Sequence, residues 1–207
     1  MPPPPPRQGW RKGGDAIIRK KDFSRSDLPN HKLHLFLPGQ PKVPLRMITL
    51  RLLRDSDIPV IKSWPEYSGE FAELDYCLRD GGWIDEYRKK PRTTVLVAMD
   101  QGEIAGFSLL SGNGRGSAEV RIALHPTRIG NGAGRVVLGR TLEYCFADMT
   151  MRSVWLIVRK NNLRAQALYA AGRFHPTGEC TEEVLGKPVE FFKMEIDRRT
   201  FFLEGRI

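Results

Sequence analysis

The 207-residue sequence predicts a single mixed α/β domain, built on a central, mostly antiparallel sheet flanked by helices. Three observations carry that expectation. Strand-like and helix-like periods succeed one another through most of the chain. A β-branched stretch on both sides of Asp100–Gly102, "TTVLVAMDQGEIAGFSLLSG", reads as a hairpin. No internal repeat or second unit interrupts residues 47 to about 198.

Residues 1–46 hold a proline run, a "KGG" and "PGQPKVP" with little periodicity, so an extended, disordered segment is expected there. They carry ten Lys or Arg against three Asp, whereas the rest carries 23 against 21, so most of the formal charge of +9 belongs to this extension. Such an arm offers an electrostatic footing to RNA or an anionic surface, while the body is close to neutral. The folded domain is expected over residues 47–207, and Met47 is itself a candidate translation start.

Within it, "ITLRLL" reads as a strand and "DSDIPVIKSW" as a helix capped by Asp55 or Ser56. "FAELDYCLRDGGWIDEYRKK" reads as helix in pieces, broken at Gly81 and Gly82. After the hairpin, "SAEVRIALHP" alternates as a strand, and "GRVVLGRTLEYCFADM" places Val136, Val137, Leu138, Leu142, Cys145 and Phe146 on one helical stripe. "RSVWLIV" is a buried strand, "NLRAQALYAAG" a helix closed by Gly172, and "VEFFKMEID" a last strand. The stretch "TGECTEEVLGKPVE" between them is expected as a loop over one side of a cleft.

Several chemistries are disfavoured. Cys77, Cys145 and Cys180 are odd in number and widely spaced, which points to a reducing compartment and neither a disulfide framework nor a thiolate metal site. No run reaches the roughly 18 apolar residues of a membrane span, and the first twenty residues lack a signal-peptide core, so a cytoplasmic protein without a membrane partner is expected. His31, His34 and His175 have no ligand spacing, His125 reads as a turn residue before Pro126, and no metal is expected. No Ser-His-Asp or Cys-His arrangement stands out, so covalent catalysis has no support.

The chemistry-bearing stretch is "VRIALHPTRIGNGAGRVVL". Gly130, Gly132 and Gly134 lie between a strand and a helix, where missing Cβ atoms free backbone N–H groups to point outward. The helix that follows opens with unpaired N–H groups and the positive end of its dipole, a place for a phosphate or pyrophosphate. Arg128 and Arg135 flank it. The sequence Gly134-Arg135-Val136 departs from a Walker A loop, and Arg159 and Lys160 occupy the place where a dinucleotide site has an acid. A glycine-rich helix start without ligand is the remaining alternative.

Together with its surroundings, this turn resembles the GCN5-related N-acetyltransferase (GNAT) superfamily, which uses acetyl coenzyme A. "LHPTRIGNGAGRVVL" is similar to the family's pyrophosphate signature: Gly132 and Gly134 take the two small positions, and the first position falls on Ile129, with the arginine at Arg128. "VRKNNLRAQALYAAGRF" resembles the segment after the fifth strand, with Asn162 at the asparagine that touches the cofactor arm and Tyr169 at the tyrosine near the thiol. The resemblance spans Ile48 to Asp197. It implies a sheet that splays after its fourth strand, and acetyl coenzyme A held by Leu124, Arg128, Ile129, Gly130, Asn131, Gly132, Ala133, Gly134, Arg135, Asn162 and Tyr169.

The reaction so implied is acetyl transfer to a primary amine by direct attack in a ternary complex, with Glu119 as candidate base, directly or through water, and Tyr169 as candidate acid. The alternative for Glu119 is a salt bridge to Arg121. The acids and aromatics of residues 64–87, among them Trp64, Glu66, Tyr67, Glu70 and Trp83, are candidate acceptor contacts that favour a cationic small-molecule or peptide amine. An aminoacyl-tRNA acceptor of the toxin type and a catalytically inactive acyl coenzyme A binding protein are the alternatives. The chain is expected as a monomer or homodimer.

Overall fold

A computed structural model of the chain describes residues 47–203, apart from the side chain of Glu70; the basic extension expected over residues 1–46 lies outside the described residues. The hairpin about Asp100–Gly102 organises the first half. Gln101 and Gly102 both take positive φ (52° and 86°), the two-residue turn that matches strand twist, between β2 (Thr93–Asp100) and β3 (Glu103–Gly112). Strand β1 (Thr49–Leu52) pairs antiparallel with β2, and β4 (Ser117–Leu124) antiparallel with β3.

The second half is a smaller antiparallel group in which β7 (Lys187–Asp197) lies between β5 (Ser153–Arg159) and β6 (His175–Val184). The two halves join through the parallel contact of β4 with β5, giving one sheet in the order β1-β2-β3-β4-β5-β7-β6. Strand β6 corrects the expected loop. Residues 175–184 are polar on both sides, so the alternation that marks a strand is blurred, and pairing with β7 along their length decides the conformation.

Apolar cores cover both faces of the sheet. On one, α3 (Ala133–Ala147) lays Leu138, Leu142, Cys145 and Phe146 against Val120, Val154, Leu156 and Met194, with Phe201 of the terminal helix α5 (Arg198–Leu203) closing the group. Inside α3, the buried Thr141 hydroxyl is 2.7 Å from the Val137 carbonyl and 2.8 Å from Ser108 Oγ, so both buried hydroxyls have partners. On the other face, α1 (Asp57–Lys62), a 3₁₀ segment (Gly69–Leu78) and α2 (Trp83–Tyr87) bury Ile61, Trp64, Cys77, Leu78 and Ile84 against Phe107, Leu109 and Ala123. The fragmented helix around Gly81 and Gly82 is thus present, with its first piece wound as 3₁₀.

The cap of α1 differs from expectation. Ser56 makes no side-chain cap and Asp55 instead pairs with Arg88 at 2.8 Å; the organising carboxylate is Asp57. It is buried, accepts from the Arg54 N–H at 2.7 Å and from both terminal nitrogens of Arg51 at 2.6 and 2.8 Å, and the Arg51 contact holds its carboxyl below the usual range. Helix α4 (Leu163–Ala171) does end at Gly172, but the left-handed residue there is Arg173, at φ 66°.

Candidate functional site

Strands β4 and β5 part early. Their ladder holds only Ser117, Ala118 and Glu119 against Ser153, Val154 and Trp155, while β4 stays paired to β3 up to Leu124 and β5 to β7 up to Arg159. The His125 N–H bonds the Ala105 carbonyl on β3 at 2.9 Å. Strand alternation therefore turns the peptide groups of Val120, Ile122 and Leu124 the other way, into the gap where the β5 partners are missing. One of them is satisfied by a side chain: the Tyr67 hydroxyl donates to the Leu124 carbonyl at 2.6 Å.

A cavity of about 300 Å³ fills this gap. Its sides are the second half of β4 and the facing residues Ile157, Val158 and Arg159, with Ala165, Leu168 and Tyr169 of α4 beneath and Phe71, Leu74, Tyr76, Cys77 and Trp83 above. At its mouth, Gly130 and Gly132 take φ of 91° and 86°, values strained for any residue with a Cβ, and α3 begins at Ala133. Gly134 packs so closely that a Cβ would meet Leu168 and Leu124 at 3.3 and 3.4 Å. The Arg164 guanidinium from α4 lies over Gly130, and Arg135 projects from the first turn of α3 into the cavity wall. Backbone N–H groups, a helix dipole and two guanidinium groups around a glycine turn fit an anionic phosphate group.

A family model described as "Acetyltransferase (GNAT) family" matches residues 59–173. The chain belongs to that family. Uncharacterized N-acetyltransferases of Mycobacterium bovis and Mycobacterium tuberculosis are 34% identical over 118 residues, 56% of this chain and 73% of theirs. The GNAT fold is seen again in the spermidine/spermine N-acetyltransferase SpeG of Vibrio cholerae. A mutant form of it aligns with TM-score 0.61 at 22% identity over 77% of this chain and 99% of its own. A complex of the same enzyme with CoA and spermine aligns with TM-score 0.58 at 23% identity, covering 74% and 97%.

Of the residues singled out in the sequence, Leu124, Ile129, Gly130, Gly132, Gly134, Arg135, Asn162, Tyr169, Tyr67 and Trp83 meet at the GNAT cavity. Asn162 also caps α4, its Oδ1 accepting from the Ala165 N–H at 3.0 Å. Burial pushes the Tyr169 phenol up to about 12. Others stand elsewhere. Arg128 pairs with Asp100 at 3.2 Å and Glu103 at 2.8 Å, Ala133 is buried beside Ile48, Ala98 and Val137, and the exposed Asn131 accepts from the Ala133 N–H at 3.4 Å. Trp64 is core, edge-on to His125 at 5.1 Å, because its indole completes the cluster under α1; Glu66 is exposed and off the wall. Glu119 lies in an ion pair with Arg121, Oε1 receiving Nε at 2.8 Å and a terminal nitrogen at 2.7 Å, and does not line the cavity.

The acidic character expected of the acceptor side is absent from the wall. Asp75 is taken by Arg79, Asp80 and Asp85 by Lys62, Glu73 by Arg159 and Glu86 by Lys90. No Asp, Glu or His is among the described lining residues, whereas Arg121, Arg135, Arg159 and Arg164 are. Arg121, Arg159 and Arg164 escaped sequence reasoning. The alternation of β4 put Arg121 on the opposite face from Val120 and Ile122, and it is the edge of the strand left open by the splay that brings residues of both faces to the cavity border.

The junction above the cavity leaves no room for a methyl group. A Cβ at Gly82 would stand 2.5, 2.6 and 2.8 Å from the carbonyl oxygens of Tyr76, Cys77 and Arg79. Gly82→Ala is therefore expected to cost about 1–3 kcal/mol in denaturant unfolding and to alter Trp83 fluorescence in the folded state. A substitution neutral in both measurements would contradict this packing.

Proposed function

We propose that the chain transfers an acetyl group from acetyl coenzyme A to a primary amine by direct attack in a ternary complex. The observation that carries this reading is the convergence on one cavity of the glycine-built N-terminus of α3 and the half of β4 that has lost its β5 partner. In this reading the N–H groups of the turn, with Arg135 and Arg164, hold the cofactor's phosphates, and the open edge of Val120–Leu124 hydrogen-bonds its arm. The CoA- and spermine-bound neighbour of like fold supports coenzyme A and an amine as the pair of ligands.

Acetyl coenzyme A supplies a thioester carbonyl: the amine lone pair forms the new C–N bond, the C–S bond breaks, the nitrogen sheds one proton and the sulfur leaves as thiolate and gains one. The N–H groups of Ile122 and Leu124, facing the gap, are suited to the oxygen that becomes negative. Tyr169 stays protonated at neutral pH and serves as hydrogen-bond donor to the departing sulfur. As candidate acid it passes its proton to that sulfur and regains one from solvent, which accounts for the proton the sulfur takes up. Glu119 sits behind Arg121, so the amine proton reaches that carboxylate only through water. "VRKNNLR" gives an aminoacyl-tRNA acceptor little footing, since Arg159 pairs with Glu73, and Lys160 with Glu179 and Glu190.

Coenzyme A release by the purified chain with a panel of primary amines tests the reading. Release is expected to depend on both acetyl coenzyme A and amine, and Tyr169→Phe should lower kcat by about 10- to 100-fold, the worth of one hydrogen bond to a charged group. Because no carboxylate or imidazole is among the described lining residues, kcat/KM should rise between about pH 6 and 9 with deprotonation of the acceptor. Cofactor binding without amine-dependent release would identify an inactive binding protein instead.

A further inference from the structure

We infer that the end of the sheet remote from the glycine turn is a docking surface for a single nucleic-acid strand, held through its phosphates by Arg92, Arg115, Arg152 and Arg199. This goes beyond the acetyltransferase reading and does not rest on it. The four arginines belong to strand ends that the backbone brings side by side. The Gly112 N–H bonds the Arg92 carbonyl at 2.9 Å, the Arg152 N–H the Gly116 carbonyl at 2.7 Å, and the Arg198 N–H the Arg152 carbonyl at 2.8 Å. Arg115 stands in the turn between β3 and β4, and all four side chains are on exposed residues. From β2 across β3, β4 and β5 to β7, at about 4.8 Å a strand, the row runs about 20 Å, the length of several nucleotides.

The turn at residues 113–116 builds the middle of the row. Asn113 Oδ1 holds it by accepting from the N–H groups of Arg115 and Ser117 at 2.8 and 3.2 Å. Two guanidinium groups lie against its glycines: a Cβ on Gly114 would stand 3.0 Å from the Arg92 guanidinium carbon, and one on Gly116 would stand 3.0 Å from Arg152 Nε. Arg152 is fixed further by a terminal nitrogen that donates to the Arg115 carbonyl at 2.6 Å. Among the described residues none of the four arginines has a carboxylate partner, although Arg51, Arg79, Arg88, Arg128 and Arg140 each have one. Asp148 and Asp197, which stand at the same end, accept instead from the N–H and hydroxyl groups of Thr150 and Thr200. Such a gathering of unpaired like charges costs self-repulsion, which a bound polyanion removes.

A nucleic-acid strand fits this row better than other polyanions. The guanidinium fork matches phosphate oxygens, and the half-exposed Phe202, in the same recess as Arg152 and Arg199, offers aromatic surface to a base. A protein interface or a membrane asks for a contiguous apolar face, whereas the row from Arg92 to Arg152 is filled by Asn113, Gly114 and Gly116. The surface is also separate from the cavity. Arg115 precedes the first residue of β4 by two positions, and Leu124 at the other end of that strand borders the cavity, about 25 Å away.

The experiment measures fluorescence anisotropy of a labelled single-stranded RNA of about 12 nucleotides with the full chain, between about 0.05 and 0.2 M salt. Arg115→Gln/Arg199→Gln removes two exposed side chains that make no hydrogen bond or ion pair among the described residues, so the fold is expected to survive, as thermal melting checks. This variant should weaken binding by about 10-fold or more and reduce the slope of log affinity against log salt by about 1.4, two phosphate contacts at about 0.7 each. Arg140→Gln/Lys187→Gln removes the same charge from outside the row and should change affinity by less than about 2-fold. The ten Lys and Arg of residues 1–46 are common to all three chains. Acetyl coenzyme A should leave the RNA bound. Equal weakening in both variants, no weakening in either, or no RNA binding at about 0.05 M salt overturns the inference. So does displacement of the RNA by acetyl coenzyme A. Polyglutamate or phosphatidylserine vesicles bound as tightly as the RNA, and lost in the Arg115→Gln/Arg199→Gln variant, would reject a nucleic-acid strand as the partner.

Discussion

The parting of β4 from β5 after Glu119 and Trp155 is the constraint on which the rest of the structure depends. Each half of the sheet is closed by its own antiparallel ladder, seven residue pairs between β3 and β4 and seven between β5 and β7, so neither needs the other along its whole length. The cost is local: peptide groups of Val120, Ile122 and Leu124 lose a strand partner, and each buried polar group left unsatisfied costs about 1–3 kcal/mol. Tyr67 offsets one of these by donating to the Leu124 carbonyl, and burial keeps its phenol protonated. An edge held open inside a protein is an invitation to a ligand with peptide-like groups.

The second organising feature is the sorting of charge. Lys62, Arg79, Arg88 and Lys90 draw Asp55, Asp75, Asp80, Asp85 and Glu86 into partly exposed ion pairs on the outside of the 3₁₀ segment and α2, where such pairs contribute little to stability. The charged residues among the described cavity lining are arginines, of which Arg121 is paired with Glu119 and Arg159 with Glu73. Arg135 and Arg164 gather at the glycine turn and Arg121 stands deeper, beside aromatic rings and Glu119. Tyr169 and the open edge of β4 lie in the wall of the same cavity.

Much of this frame was legible in the sequence. The hairpin, the fourth strand, the glycine turn and both long helices carry local signals: β-branched runs, turn residues and an apolar stripe. The features that escaped are those decided by tertiary context. Strand β6 has acids where a core-facing residue would be expected, and only its ladder with β7 makes it a strand. Arg128, adjacent to the turn, was a natural phosphate ligand in one dimension, but Asp100 and Glu103 on the neighbouring hairpin claim it in three. Arg164 is invisible as a site residue in sequence because its reach to Gly130 depends on how α4 packs against the turn. The acid-rich segment shows the same limit: composition reported its acids without the basic residues that neutralise them.

Amide hydrogen exchange at Ile122 and Leu124, with and without acetyl coenzyme A, tests the open-edge account most directly. These N–H groups should exchange faster than those of Arg121 and Ala123, which face β3, and should become protected when acetyl coenzyme A is added. Equal protection of all four amides before the cofactor is added, or cofactor-induced protection that leaves Ile122 and Leu124 untouched, would contradict the role given to the open edge of β4.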